Sequence, residues 1–320
     1  MGKPRFLVIR GGAIGDFVMT LPVLEALRRR WPECHISVLG YPHIAALALA
    51  GRLADEVKSL DRASAALLFV PEQPLPAETA LFVQSFDVII NYLYDPDESV
   101  RTSLEQAGAR QVLGITPRMG AEPAARHFMK PLAELAVYPD GEPYPRLSLA
   151  SEAVARGRDR LAVWGGRTVV FHPGSGSEKK NWPLAGFMRV AEGVKGLGFT
   201  PVFSFGEADD DVRRTFDRLN PGFGVLSPLS LDGLAETFGA CCGYVGNDSG
   251  VTHVAAAVGI PVTVLFGPSD PVLWASRAPR VRVVRAALPT TESLAALPVE
   301  TVLETVGSML RDVQAEQADR

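Results

Sequence analysis

The chain has 320 residues, 47% of them hydrophobic and 21% charged, with 32 Lys and Arg against 36 Asp and Glu for a net charge of −4. That balance fits one large or two medium globular domains, at roughly 150 residues each. The charge is even along the chain, 15 basic against 17 acidic residues over 1–150 and 17 against 19 over the rest, which excludes a basic nucleic-acid platform. Three cysteines without a CxxC pair exclude a disulfide framework, and Cys241 and Cys242 read as buried free thiols. No apolar run reaches membrane-spanning length and the N-terminus enters a strand directly, so a soluble chain in a reducing cytoplasm is expected.

Arg5–Arg10 reads as a short buried strand, followed by the loop Gly11–Asp16 and a helix-patterned stretch ending at Arg30. Pro22 is tolerated only near a helix start, so that helix is expected from about Thr20. His35–Leu39 is the second strand. This β–loop–α–β unit invites a dinucleotide-binding reading, but Arg10 stands where a GxGxxG match needs glycine, and Leu39-Gly-Tyr-Pro offers no acid to a ribose.

Further units follow: helix 44–53, strand 56–60, a proline-interrupted helical stretch 63–84, strand 86–92, helix 97–107 and strand 111–115. Residues 116–147 read as an irregular Pro/Gly-rich loop carrying Arg118, Arg126, His127, Lys130 and Arg146. Long loops in compact domains are commonly functional, and a basic one at a sheet edge suits an anionic substrate; solvated surface charge is the plain alternative. After a helical segment at 149–164 the pattern restarts with strand 168–172, loop 173–183, helix 184–197, strand 199–205, the acidic run 206–211 with a helix to 219, helix 231–240, strand 243–245, helix 250–258 and strand 261–266. The restart predicts two doubly wound α/β domains, 1–155 and 156–320, with ligands beyond the carboxyl ends of the strands. A last helix over 292–310 is expected to cross back onto the first domain.

The stretch 245–259 carries the clearest local chemistry. Asp248 and Ser249 sit where a helix N-cap belongs, so Gly250 and Val251 should present free backbone N–H groups to a phosphate. An ordinary capped helix would share this signature.

Three segments together resemble the family-nine glycosyltransferases, the bacterial lipopolysaccharide heptosyltransferases: Val8–Pro22, His172–Pro183 and Gly246–Ala256, in order over residues 5–270. The resemblance implies a GT-B fold, two Rossmann-like domains facing a cleft, and an inverting, metal-independent transfer of a heptose or related sugar from an ADP-sugar to the lipid A–core acceptor. It implies Asp16 as the base that takes the acceptor hydroxyl's proton, a helix N-cap being the plain alternative, and Lys180, with Lys179 as fallback, on the diphosphate. It places Ser175 and Ser177 with the Gly174 and Gly176 amides in an anion-binding nest, and Asp248, Ser249, Gly250 and His253 across from them, Asp248 toward sugar hydroxyls, with Gly15 as a further donor-side candidate. Either Glu207 or Asp209 is expected on the nucleoside.

The run Asp209–Asp211 also offers a DxD pattern but sits at a helix start, where charge complements the dipole, and no metal is expected. Arg118, Arg126 and Lys130 are weaker acceptor-side candidates. Departures from the family are Arg10-Gly-Gly, where small or serine-like residues are common, and an unmatched tail after residue 275. No cofactor is expected beyond the donor, and no nucleic acid; the lipid-linked acceptor implies transient contact with the inner membrane's cytoplasmic face, with Arg28–Arg30 and the basic loop as candidates. The alternatives are a sugar-nucleotide epimerase or hydrolase of the same fold, which needs acid/base residues on both faces of the sugar, and a non-catalytic nucleotide-sugar-binding subunit.

Overall fold

The structure, a computed structural model, describes residues 2–61, 66–115 and 120–318. The chain divides into two compact units, Met1–Tyr144 and Pro145–Arg320. The break falls earlier than the expected residue 155 because the Leu147 N–H donates to the Ala257 carbonyl at 2.8 Å, and the helix that follows packs on a later helix of the second unit.

The first unit is built on five parallel strands, β1 (Arg5–Arg10), β2 (His35–Gly40), β3 (Glu56–Ser59), β4 (Val88–Asn91) and β5 (Val112–Gly114), in the order β3-β2-β1-β4-β5. The chain reverses direction across the sheet between β1 and β4, whose exits therefore flank a switch point. Helix α1 (Ile14–Arg30) starts six residues before the expected Thr20 and keeps Pro22 inside it. Every residue from Phe17 to Leu24 is buried, and core burial at about 1.5–3 kcal/mol per large apolar side chain outweighs a proline cost of about 3 kcal/mol. Helices α2 (Pro42–Ala50), α3 (Ala77–Gln84) and α4 (Ser99–Gln106) complete the crossovers. The expected irregular loop 116–147 contains helix α5 (Ala124–Met129) and a 3-10 helix over Lys130–Leu135, with Phe128 and Leu132 buried.

The second unit holds six parallel strands, β6 (Thr168–His172), β7 (Thr200–Phe203), β8 (Gly224–Val225), β9 (Gly243–Asn247), β10 (Val262–Phe266) and β11 (Val281–Arg285), in the order β11-β10-β9-β6-β7-β8. Its switch point lies between β6 and β9. Around the sheet run α6 (Ser151–Leu161), α7 (Leu184–Gly196), α8 (Asp210–Leu219), α9 (Leu231–Phe238), α10 (Gly250–Val258), α11 (Pro271–Trp274), α12 (Thr291–Ala295) and α13 (Val299–Ala318). The single tail helix expected over 292–310 is thus two, separated at Pro298, which has no N–H to continue the first. Val302, Val306, Met309, Leu310 and Val313, spaced for one helical stripe, join the core of the second unit under β10 and β11.

Candidate functional site

At the exit of β1, the Gly11–Ala13 turn reverses the chain into α1, and Gly12 adopts φ +89°, a conformation that favours glycine. Asp16 occupies the third helical position, not the N-cap, which is Ala13. Its Oδ2 accepts the Ala13 N–H at 3.2 Å, and its Oδ1 faces Nη2 of Arg10 at 3.5 Å. The carboxylate is about one-third exposed, so the first unit presents it at the mouth of its switch point, next to half-buried Gly15.

The β6 exit loop and the β9 exit are tied together by Asn247, fully buried at the end of β9. Its Nδ2 donates to the Pro173 carbonyl at 2.8 Å and its Oδ1 accepts the Trp182 N–H at 3.0 Å, so one amide clamps both ends of the 173–182 loop. Trp182 is itself anchored through Nε1 to the Leu297 carbonyl at 3.1 Å. On this frame Lys180 reaches Asp248 at 2.8 Å, with Nε2 of His253 at 3.4 Å from the other carboxylate oxygen and the Ser269 hydroxyl donating to the same oxygen as Lys180. Lys179 is exposed, and its carbonyl accepts the Thr291 hydroxyl. Ser249 is the N-cap of α10 and its hydroxyl accepts the Thr252 N–H; the first helical bond runs from His253 to the Ser249 carbonyl, so the Gly250 and Val251 amides have no partner within the helix.

Burial pushes the Asp248 carboxyl up, but the His253 hydrogen bond and charge, with Lys180 and Ser269, outweigh it and hold the group well below the usual carboxylate range. Since its unfolded value is about 3.9, the stability this cluster contributes is complete at neutral pH and is lost as pH falls below about 4. Asp248→Asn is expected to cost about 1–3 kcal/mol at pH 7 and to flatten the acid side of the stability curve. Urea melts of both proteins between pH 3 and pH 7 check this.

Around the β6 loop the side-chain inventory is narrower than the expected nest. The Ser175 hydroxyl donates to the Ser177 carbonyl at 2.6 Å and accepts the Ser177 N–H at 3.2 Å, so both groups serve the loop's own shape, while Gly176 and Ser177 are exposed.

The two acids after β7 separate clearly. Residues 207–209 form a 3-10 turn whose short period leaves Glu207 exposed and turns Asp209 inward, against its expected place on a ligand. Asp209 is 3% exposed, accepts the Gly206 N–H at 2.7 Å and lies 3.3 Å from Nε2 of His172, whose imidazole burial pushes down against the opposing charge of Asp209. This carboxylate fills the space beside Gly174, where a Cβ would come within 1.9 Å of Oδ1. Gly174→Ala is therefore expected to destabilise the second unit by about 1–3 kcal/mol, while Gly176→Ala, with nothing within 4 Å of its Cβ, serves as the control in parallel denaturant melts. Asp210 and Asp211 fall in the first turn of α8, as charge complementing the helix start, and among the described residues no group of three His, Cys, Asp or Glu side chains is placed to hold a metal ion.

The weaker candidates are engaged locally. Arg126 pairs with Glu142, and Lys130 pairs with Glu122, which also meets His127 at 3.2 Å; Arg118 lies outside the described residues. Of the Arg28–Arg30 run, Arg28 binds Asp55 at 2.8 Å, Arg29 binds Asp140 at 2.9 Å and Arg30 lies over the Trp31 ring. Sequence reading assigned no role to Asn247, Ser269, His172 or Arg10. The signal for Ser269 was present, since Gly267-Pro-Ser-Asp270 also follows a strand's carboxyl end.

Comparison with known proteins bears on this arrangement. The chain is 22% identical over 284 residues to lipopolysaccharide heptosyltransferase 3 of Escherichia coli K12, an alignment spanning 81% of each chain. Its fold resembles that of a family 9 glycosyl transferase from Veillonella parvula, with a TM-score of 0.81 at 21% identity over 98% of this chain and 99% of that one. It also resembles E. coli heptosyltransferase WaaC with ADP-2-deoxy-2-fluoro heptose, with a TM-score of 0.70 at 18% identity over 94% and 99%. Two parallel-sheet α/β units with these likenesses make the fold the expected GT-B type. The sequence profile of glycosyltransferase family 9 (heptosyltransferase) matches residues 99–301, well over half of the chain, and the protein belongs to that family.

Proposed function

We propose that the chain transfers a heptose from an ADP-linked donor to a lipopolysaccharide core acceptor, with inversion at the anomeric carbon and without a metal ion or cofactor. The observation that carries this reading is Lys180, held 2.8 Å from buried Asp248 at the β6–β9 switch point beside a helix start capped by Ser249. A nucleoside diphosphate gains negative charge as its bond to the sugar breaks, and fixed donors and cations at that place lower the barrier. The Lys180 ammonium has three N–H donors and gives one to Asp248, leaving two for the diphosphate. The Gly250 and Val251 amides add the donors of a helix start.

Of the four lone-pair directions of the Asp248 carboxylate, Lys180 and Ser269 use the two on Oδ2, and Nε2 of His253 faces a third on Oδ1 at 3.4 Å. The fourth, on Oδ1, accepts a sugar hydroxyl. Because Nε2 of His253 faces Asp248, any hydrogen bond from this ring to a phosphate comes from Nδ1. Exposed Glu207, and not Asp209, is the acid assigned to the nucleoside. Asp16 accepts the proton as the acceptor oxygen attacks the anomeric carbon, the carbon–oxygen bond to the diphosphate breaks, and ADP leaves.

ADP-heptose as donor draws support from the relative solved with an ADP-heptose analogue, and the acceptor class from the lipopolysaccharide heptosyltransferase relative. With a lipid-linked acceptor the chain works as a peripheral visitor at the cytoplasmic face of the inner membrane; among the described residues no helix is long and apolar enough to cross one. The test is proton NMR of the new anomeric linkage formed from ADP-heptose and heptose-deficient lipopolysaccharide, with and without EDTA. An inverted linkage formed at the same rate in EDTA supports the reading, whereas a retained linkage or loss of transfer on chelation sinks it.

A further inference from the structure

Arg10, the last residue of β1, is a buried cation with one countercharge among the described residues, Asp16. Its side chain is 9% exposed, its guanidinium lies 4.5 Å from the centre of the Phe128 ring and 5.9 Å from that of Tyr92, and its Nη1 donates to the Tyr92 carbonyl at 3.2 Å. Its Nε is buried without a partner among the described residues. Burial pushes Arg10 down from its ordinary value, with Asp16 opposing, and a guanidinium stays charged even so.

An apolar side chain would fill this place between two aromatic rings with no unsatisfied donor, and a buried charge rarely improves stability over such a replacement. A purely structural account therefore leaves the guanidinium unexplained. What it does meet is Asp16. Its platform is rigid, because the Tyr92 hydroxyl donates to the Phe128 carbonyl at 2.6 Å and fixes the two rings to each other. The other titratable groups of α5 are committed elsewhere, Arg126 to Glu142 and His127 to Glu122.

We propose that Arg10 is the positioning residue for the Asp16 carboxylate, a fixed cation that selects one orientation of the base for proton transfer. The geometry suits this role. At 3.5 Å, Nη2 is beyond an ordinary hydrogen bond to Oδ1, so the charge holds that oxygen in place without occupying its lone pair. The Ala13 N–H fixes the second oxygen, and two anchors set the plane of the carboxylate. Because Arg10 also grips the carbonyl of Tyr92, the residue that follows β4, the orientation is referred to β1 and to the exit of β4 at the switch point. This inference rests on the assignment of Asp16 as base.

The experiment is a double-mutant cycle of Arg10→Gln and Asp16→Asn, with Arg10→Lys as the conservative variant, measured as acceptor-dependent ADP release by the full chain. Arg10→Gln keeps a donor for the Tyr92 carbonyl and is expected to lower kcat about 10- to 100-fold with the donor KM unchanged. In the Asp16→Asn background the same change is expected to lower kcat no further, because groups acting as a unit are not additive. Arg10→Lys is expected to recover most of the loss. If Arg10→Gln folds poorly, the thermal melt shows it and Arg10→Lys alone decides, since near wild-type kcat with a restored melt is expected. An equal loss in both backgrounds, a loss confined to KM or to thermal stability, or no recovery with lysine overturns the proposal. Full activity of Asp16→Asn by itself would instead overturn the assignment of the base.

Discussion

Asp16→Asn is expected to lower kcat by about two to four orders of magnitude, the usual worth of a positioned general base. The amide has the same shape and still accepts the Ala13 N–H through its oxygen, so the start of α1 and the turn at Gly12 survive the change. What it cannot do is take a proton from an attacking hydroxyl. The donor KM and the affinity for ADP should be nearly unchanged, because the groups assigned to the diphosphate lie on the exits of β6 and β9. Steady-state kinetics with calorimetric titration of ADP separates the two effects. A variant that loses ADP binding along with kcat would mean that Asp16 supports structure and not proton transfer.

Lys180→Met carries the second large effect. Removing a cation placed for a leaving diphosphate is expected to cost about 10²- to 10³-fold in kcat, together with a weaker grip on ADP. Stability should change little by comparison: the Lys180 side chain is 37% exposed, so solvent screens its pairing with Asp248, and His253 and Ser269 still face the carboxylate. Lys180→Arg is expected to rescue only part of the rate, because a planar guanidinium does not replace a compact ammonium between a carboxylate and a diphosphate. Kinetics and urea melts on both variants check these outcomes. A large stability loss with kcat intact would make the ion pair structural only.

How much of this was legible in the sequence depended on whether the signal was local. Buried central strands such as β1, β6 and β10 announce themselves as short apolar runs ending in glycine or proline, and the parallel order follows from the alternation with helices. The edge strands of the second sheet do not. β11 reads Val-Arg-Val-Val-Arg and buries only one of its five residues, and β8 is two residues long, so neither yields a clear pattern. Helix boundaries failed at prolines in opposite ways: at Pro22 the packing of α1 overrode the local rule, while Pro298, read through as helix, separates two.

The candidate site divides in the same way. The Ser249 cap and its helix start are local and were readable. The Lys180–Asp248 pair joins residues 68 positions apart, and only the sheet order shows that their loops meet. Three consecutive acids give no phase, so the inward turn of Asp209 toward His172 could not be told from the outward turn of its neighbours. Arg10 was visible as a departure from the expected pattern, but its meaning came only with the aromatic pair from the exit of β4 and from α5 beside it.

The most direct test of the central claim is ADP release from ADP-heptose by the full chain, with and without heptose-deficient lipopolysaccharide, for the wild type and Asp16→Ala. The account predicts release that requires the acceptor and collapses in the variant. Release that ignores the acceptor, or that persists undiminished in Asp16→Ala, would contradict it.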